Sequence, residues 1–520
     1  MYSKAVQNLI SQHQRYLQTE GRGLEDTTEK IHVDEIAQKV ATFYERVRSL
    51  IDYHEEHLLR KSTIDRILRR RVFLRDIEPD IAGPLIKELI RSGHLPNDTV
   101  SESKIVRVQA ILDNLTYLLQ AVGANGQGGR EGFSSWLIKI FVPALEDELF
   151  PPPEERLLAD AMYQAMKSGL VIRNLKLSES DADVQLYIGV QRALFRPDPD
   201  QLQYCILKFV NPTWGKLSPE ELARTARELP GLRRYLQKLL THRLRPYFYR
   251  LANRHKVVFQ LIGDLVFNSR PINDDIIEEL KPFYQRRYHK LTQQLNRLAI
   301  FSVISFFISK ILVAVLIEVP VDRYLGHEFS LANMAINIIF PPLLMLLIIA
   351  FIRPPSRANF ALVSAAVREV INPDFRREYI LIVPKRASPV GRVGMRLAYL
   401  VTLGAVLYWI IKGLLVFQFS PASIVIFLLF TSMVIATGVK IDNRAKEISL
   451  EKEKATIFKF LVDLVTVPFM AIGKWTIAGL SRFNVLVIAF NFLLELPFQL
   501  FVEFLESFRS FIKSKKEEAS

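Results

Sequence analysis

A single cysteine, Cys205, stands in the 520 residues of this chain, which excludes an internal disulfide framework and any multi-cysteine zinc or iron–sulfur centre. That thiol reads as a small apolar filler. Signatures for nucleotides are missing too. The glycines Gly123, Gly126, Gly128, Gly129 and Gly132 follow a helical pattern rather than a strand, and no Gly-Lys-Ser/Thr closes them. They read as a helix stop and a loop. The histidines of His54-Glu55-Glu56-His57 stand three apart where a metalloprotease helix needs four, and Glu29-x-x-His32 is only a fragment of a di-iron set. No Gly-x-Ser-x-Gly elbow, kinase set or dinucleotide fingerprint occurs. No catalytic residue, metal or cofactor is therefore assigned, and an enzyme acting on membrane lipid is the least supported class. The stretch from Met1 to Glu20 has no apolar core of the kind a secretory signal needs. Its Val6, Leu9, Ile10, Tyr16 and Leu17 fit one face of a helix, ahead of a surface loop at Gly21-Arg22-Gly23.

What the chain does have is apolar sequence in long runs. Four of them, 298–319, 331–352, 397–419 and 422–439, match the roughly 20 residues that carry a helix across a bilayer. Lysine and arginine bias sets the expected orientation. Arg286, Arg287, Lys290 and Arg297 precede the first run, and the connection 353–396 holds Arg353, Arg357, Arg368, Arg376, Arg377, Lys385, Arg386, Arg392 and Arg396. Both flanks are expected on the cytoplasmic side, facing the anionic inner leaflet of a prokaryotic plasma membrane, with both termini cytoplasmic. Of these, Arg286, Arg287, Lys290, Arg353, Arg357, Arg376, Arg377, Lys385 and Arg386 are the expected lipid-headgroup contacts. The net charge of +14 is accounted for by that membrane surface, and nucleic acid is not expected as a partner.

The rest of the chain reads as helix, so the expected fold is all-α. It comprises a helical subdomain 1–150, a second helical subdomain 151–296, a membrane block 297–440 and a tail 441–520. Residues 33–75 and 104–122 carry three-and-four apolar spacing, and Pro151-Pro152-Pro153 marks the joint between subdomains. Asp198-Pro199 and Ser218-Pro219 set capping side chains before a proline at the first helical position, and Ser218 with Glu221 forms a capping box. Residues 232–256 read as one basic amphipathic helix interleaved with Tyr235, Tyr247, Phe248 and Tyr249. In the connection 353–396, Phe360, Leu362, Val363, Val367 and Ile371 suggest a helix lying on the bilayer, followed by an extended Tyr379 to Val383. The tail segments 457–472 and 484–512 are oily helices with a polar stripe, expected to lie in the interface rather than cross it.

Polar residues inside the spans are the candidate functional positions. Lys310 lies about 13 Å of helix rise from Val319, deep enough to be costly and informative. Lys412 lies about 10 Å from Phe419 and can snorkel outward. Ser302, Ser305 and Ser309 share one face of the first span, as do Asn333 and Asn337 in the second, in the manner of interhelical hydrogen-bonding residues. Glu318, at the edge of its span, is given no role. Pro341-Pro342 is expected to kink the second span. The leading expectation is a membrane scaffold whose cytoplasmic domain binds a protein partner, with self-association left open. The alternative is a channel or transporter in which Lys310 contacts an anionic solute.

Overall fold

The computed structural model describes residues 2–23, 30–31, 56–74, 80–95, 97–98, 100–124, 130–151, 153–174, 177–215, 217–268, 276–324, 331–356, 358–372, 377–383, 388–451, 466, 469–470 and 472–476. Those residues are almost entirely helical, as the spacing predicts. They divide into two compact units. The first gathers Met1–Arg287, Ser356–Lys385 and Ile448–Glu451, and the second gathers Tyr288–Pro355, Arg386–Glu447 and Lys452–Ser520.

In the first unit the local signals act where the sequence puts them. Ser218 accepts from the Glu221 backbone at 3.3 Å while the Glu221 carboxylate accepts from the Ser218 backbone at 2.9 Å, opening Pro219–Leu240. Asp198 caps Pro199–Val210. One apolar core joins helices Glu56–Leu74, Ala82–Arg91, Glu102–Ala124, Arg130–Leu149, Pro199–Val210 and Pro219–Leu240, with Leu68, Leu89, Leu112 and Phe141 buried among them. Lys4–Gly23 packs on Pro153–Ser168 through Val6 and Leu9, and its helix continues over the glycines expected to form a loop.

Two readings need correction. The basic segment 232–256 is not one helix: Pro219–Leu240 ends, and Arg245–Phe267 begins with Pro246 in its first turn. The Thr241 N–H closes the first helix on the Gln237 and Leu239 carbonyls, and Pro246, which has no N–H to donate, is accommodated in the first turn of the next. The connection between the second and third spans does form the expected helix, Ala358–Ile371, and strand, Tyr379–Ile382. Its apolar face, however, is buried in the first unit: Val363, Val367 and Ile371 are covered, and the helix packs on Arg245–Phe267. The strand (β2) pairs in parallel with Leu170–Arg173 (β1), in the register Leu170↔Tyr379 to Arg173↔Ile382. Gly169 makes this possible, because a Cβ there would land on the Arg377 carbonyl.

In the second unit, four helices are long and apolar enough to cross a membrane, which fits an integral membrane protein. The first span is the far part of a continuous helix, Ile276–Val313, which passes through a π-helical turn, Ala314–Glu318, into Val319–Tyr324. The others are Leu331–Phe351, Pro389–Val416 and Pro421–Ala445. Leu331–Phe351 runs through Pro341-Pro342 without interruption. It packs closely on Pro421–Ala445, with Gly438 against Ile348 and the Phe340 and Phe427 rings 4.7 Å apart. Most of residues 452–520, including nearly all of the two tail segments, lie outside the described residues.

Candidate functional site in the membrane-spanning unit

The first span brings three ionisable residues into line. In a regular helix at about 100° per residue, Lys310 and Glu318 would stand about 80° apart around the axis. The π turn at Ala314–Glu318 holds one residue more than an α turn and takes up that mismatch. Lys310 and Glu318 therefore face the same way. Between them Ala314 is buried and small, leaving room for the lysine stem. Lys310 is fully buried, and its Nζ donates to Glu318 Oε2 at 3.2 Å and lies 5.1 Å from the centre of the Phe430 ring.

Two other helices complete the centre. Asn337, on Leu331–Phe351, donates through Nδ2 to Glu318 Oε1, and Ser423, on Pro421–Ala445, donates to the same oxygen. Asp322, one α-helical turn beyond Glu318, accepts from the Ser420 hydroxyl at 2.6 Å and lies 3.4 Å from Ser423 Oγ. Ser420 is also the N-cap of the fourth span, accepting from the Ser423 backbone. Asn337 Oδ1 is buried without a hydrogen-bond partner. A lysine, two carboxylates, an amide and two hydroxyls thus meet inside an otherwise apolar group of helices.

The expected positions separate on this geometry. Lys310 and Asn337 are brought together, and Asn333 sits apart, donating to the Gln418 carbonyl at 3.3 Å. Ser305 and Ser309 lie on the exposed apolar face of their helix and Ser302 is half-buried, so the serine face does not line this centre. Lys412 is exposed, its Nζ 5.7 Å from the Tyr408 ring. Glu318, Asp322 and Ser423 were passed over in the sequence. The one-dimensional signal for the acids was their spacing, Glu318 and Asp322 being four apart, but the eight-residue interval from Lys310 hides the pair unless the π turn is known.

The headgroup positions divide as well. Arg287 is engaged bidentately by Asp264, at 2.6 and 2.8 Å, and Arg377 donates a single bond to Glu369, so both charges are already matched within the first unit. Arg286, Lys290 and Arg353 are exposed, whereas Arg357, Arg376, Lys385 and Arg386 lie outside the described residues. Arginines of the basic segment lie over the unit's own rings: Arg233 over Phe133 at 4.7 Å and Arg250 over Tyr247 at 4.7 Å.

A second polar junction, in the first unit, was invisible in the sequence. Asn359 is fully buried and makes three bonds: Nδ2 to Tyr284 Oη at 2.9 Å and to the Ile448 carbonyl at 2.8 Å, and Oδ1 from the Leu450 backbone at 2.8 Å. It ties together the three segments through which the chain passes between this unit and the spans. Nearby in the fold of the same unit, His255 stacks edge-on against Tyr379 of β2, and burial, reinforced by Arg377 and Arg254, pushes its imidazole down to about 3.

The remaining chemistry is sparse. Cys205 is free, and burial pushes its thiol up to about 11, which opposes a reactive thiolate. Among the described residues no group of three or more His, Cys, Asp or Glu is placed to hold a metal ion. Comparison with protein-family models, curated proteins and solved structures finds no match.

Proposed function

We propose that this chain is a membrane channel or transporter whose working centre is the Lys310–Glu318 pair. The observation that carries the reading is the convergence of opposite charges, an amide and hydroxyls, from three helices, at one buried place in a membrane block. Ionisable groups cost several kcal/mol at such depth, and where they occur they mark ion or solute pathways. A purely structural clamp needs no charge, since apolar packing of the same volume is as stable or more so. The chain's own carboxylate occupies the place that an anionic solute would take beside Lys310, so binding there proceeds by exchange of partners. By the lysine and arginine bias, the helical unit lies on the cytoplasmic side.

The test is flux through the full chain reconstituted in lipid vesicles. Lys310→Leu and Glu318→Gln are expected to abolish it while remaining folded by gel filtration and thermal melting. Wild-type vesicles as tight as protein-free ones, or full flux in both variants, would remove the reading.

Asn359 and the β1–β2 pair favour a second reading, a membrane scaffold. The segment joining the second and third spans belongs to the helical unit, so that unit is fastened by more than one chain passage, as suits a platform for a protein partner. Crosslinking in intact membranes is expected to yield one defined partner, lost when residues 56–268 are deleted. Unchanged crosslinks after that deletion would count against it.

A further inference from the structure

We infer that Asp322, Ser423, Glu318 and Lys310 form a proton relay, in which the Ser423 hydroxyl passes a proton between Asp322 at the end of the first span and Glu318 in its interior. The inference rests on the transport reading and adds the proton as the ion that moves with the solute at that centre.

The order of burial gives the relay its direction. Asp322 is half-buried, Glu318 is 4% exposed and Lys310 is 0% exposed. Ser423 stands between the carboxylates, bonded to Glu318 Oε1 and 3.4 Å from Asp322 Oδ2. A hydroxyl has one proton and two lone pairs, so it can serve only one carboxylate as donor and must accept from the other. Its present bond runs to Glu318. Acceptance from Asp322 requires that Asp322 carry a proton and that the gap close by roughly half an ångström to ordinary O–H···O length.

The step then balances. A proton arriving at Asp322 Oδ2 forms an O–H bond. Asp322 hands that proton to Ser423 Oγ while the original hydroxyl proton passes to Glu318 Oε1. Two O–H bonds break, two form, and Asp322 returns to its carboxylate. Reversal of the same hops unloads the site.

Charge explains why one proton is the natural load. With all three groups ionised, Lys310, Glu318 and Asp322 sum to a single negative charge, and one proton brings the centre to neutrality, the favoured state in an apolar medium. Among the described residues, Leu331–Phe351 carries no titratable group and faces the centre with Asn337, Pro421–Ala445 carries none before Lys440 and faces it with Ser423 and Phe430, and the third span, whose Leu414 packs with Phe427, carries Lys412, which is exposed beside Tyr408. The buried, unpartnered Asn337 Oδ1 shares its carbon with the nitrogen bound to Glu318, and so offers the loaded carboxyl an acceptor at the same spot.

The experiment uses the full chain in phosphatidylcholine vesicles, with two readouts: the infrared carbonyl band of a protonated carboxyl as pH is lowered, and proton uptake after a pH jump followed by a pH-sensitive dye. The wild-type spectrum minus that of Glu318→Gln is expected to retain a carbonyl band that belongs to Glu318. Uptake is expected to slow about tenfold or more in Ser423→Ala and to recover in Ser423→Thr, which keeps the hydroxyl. A wild-type-minus-Glu318→Gln difference spectrum without a carbonyl band, or uptake in Ser423→Ala as fast as wild type, overturns the relay. If Ser423→Ala does not fold, the wild-type rate in D₂O decides: slower uptake supports the relay and an unchanged rate overturns it. Titration without net flux under an imposed gradient would leave the relay and remove the transport reading. Wild-type flux in Ser423→Ala would do the reverse.

Discussion

The two units expose opposite things. In the helical unit the largest covered side chains are apolar, Phe141, Phe248 and Phe259, while charges such as Arg70 and Glu88 pair at the surface. The membrane-spanning unit shows its oil outward, with Ile300 60%, Leu316 64% and Trp409 73% exposed, and hides Lys310 and Asn337. Surroundings explain the reversal. Water rewards apolar burial and solvates charge cheaply, whereas lipid is as apolar as leucine and leaves polar groups only one another. Both units bury polar residues, Gln185, His255 and Asn359 in the first among them, but in the second Lys310, Glu318, Asn337 and Ser423 meet at one centre.

The sharpest way to break this contrast is to remove one partner of the embedded pair. Glu318→Leu leaves the Lys310 ammonium buried and unmatched and is expected to cost about 3–5 kcal/mol. Thermal unfolding of the full chain in detergent measures it, and the double variant Lys310→Met/Glu318→Leu should recover most of the loss. If the single variant melts like wild type, the pair carries no structural charge balance.

The helical unit buries uncharged amides as well, and Asn359→Leu tests whether one of them behaves alike. The Ile448 carbonyl and the Leu450 N–H are left without this partner, for an expected loss of about 2–6 kcal/mol at roughly 1–3 kcal/mol per group. Hydrogen exchange should quicken at Leu450 first. Protection unchanged there would mean that other contacts hold the junction.

Acid titration separates the units further, because the helical unit holds a carboxyl whose burial is legible in solution. Glu146 is pushed up to about 7 by desolvation, against the pull of Arg60 and Lys61 and with a push from Asp198 and Glu155. The folded chain therefore binds more protons than the unfolded chain between about 4.5 and 7. Stability from this group falls as pH rises through that window and is level above it. Glu146→Gln should abolish that slope and raise stability at pH 8, by on the order of 2–3 kcal/mol. Parallel pH profiles for variant and wild type would refute the assignment. His255 works in the opposite sense: held down to about 3 from 6.5, it costs the fold stability as pH falls below its ordinary value.

A smaller effect is expected at Gly169→Ala, about 1–3 kcal/mol, since the added methyl meets the Arg377 carbonyl and the β1–β2 pair must shift. Faster proteolysis between 372 and 388 would report it, and wild-type resistance would contradict it. Smallest of all is the exposed Arg70–Glu88 pair, where Arg70→Ala should change the melting free energy by no more than about 1 kcal/mol.

Much of this architecture was legible beforehand. Runs of about 20 apolar residues announce spans because nothing else satisfies their backbone in lipid, and Ser218 with Glu221 announces a helix start because both orphan N–H groups are met locally. The site was half legible. Lys310 stood out as a charge in oil, and Asn337 as an amide in the neighbouring span. Glu318 did not, since its position near the span edge suggested access to water and the π turn that aligns it with Lys310 has no local sequence mark. The break before Pro246 was readable from proline alone, yet the basic and aromatic periodicity across 232–256 masked it.

Sequence by itself determined which segments are helices and which of them are too apolar for water, because backbone hydrogen bonding, capping and hydropathy act over a few residues. Tertiary structure alone decided that Glu318 faces Lys310, that Asn359 joins three distant segments, and that the helix 358–371 buries its apolar face in protein. Those outcomes depend on groups that are remote along the chain arriving within about 3 Å of one another, and a buried charge or amide settles only where such partners converge.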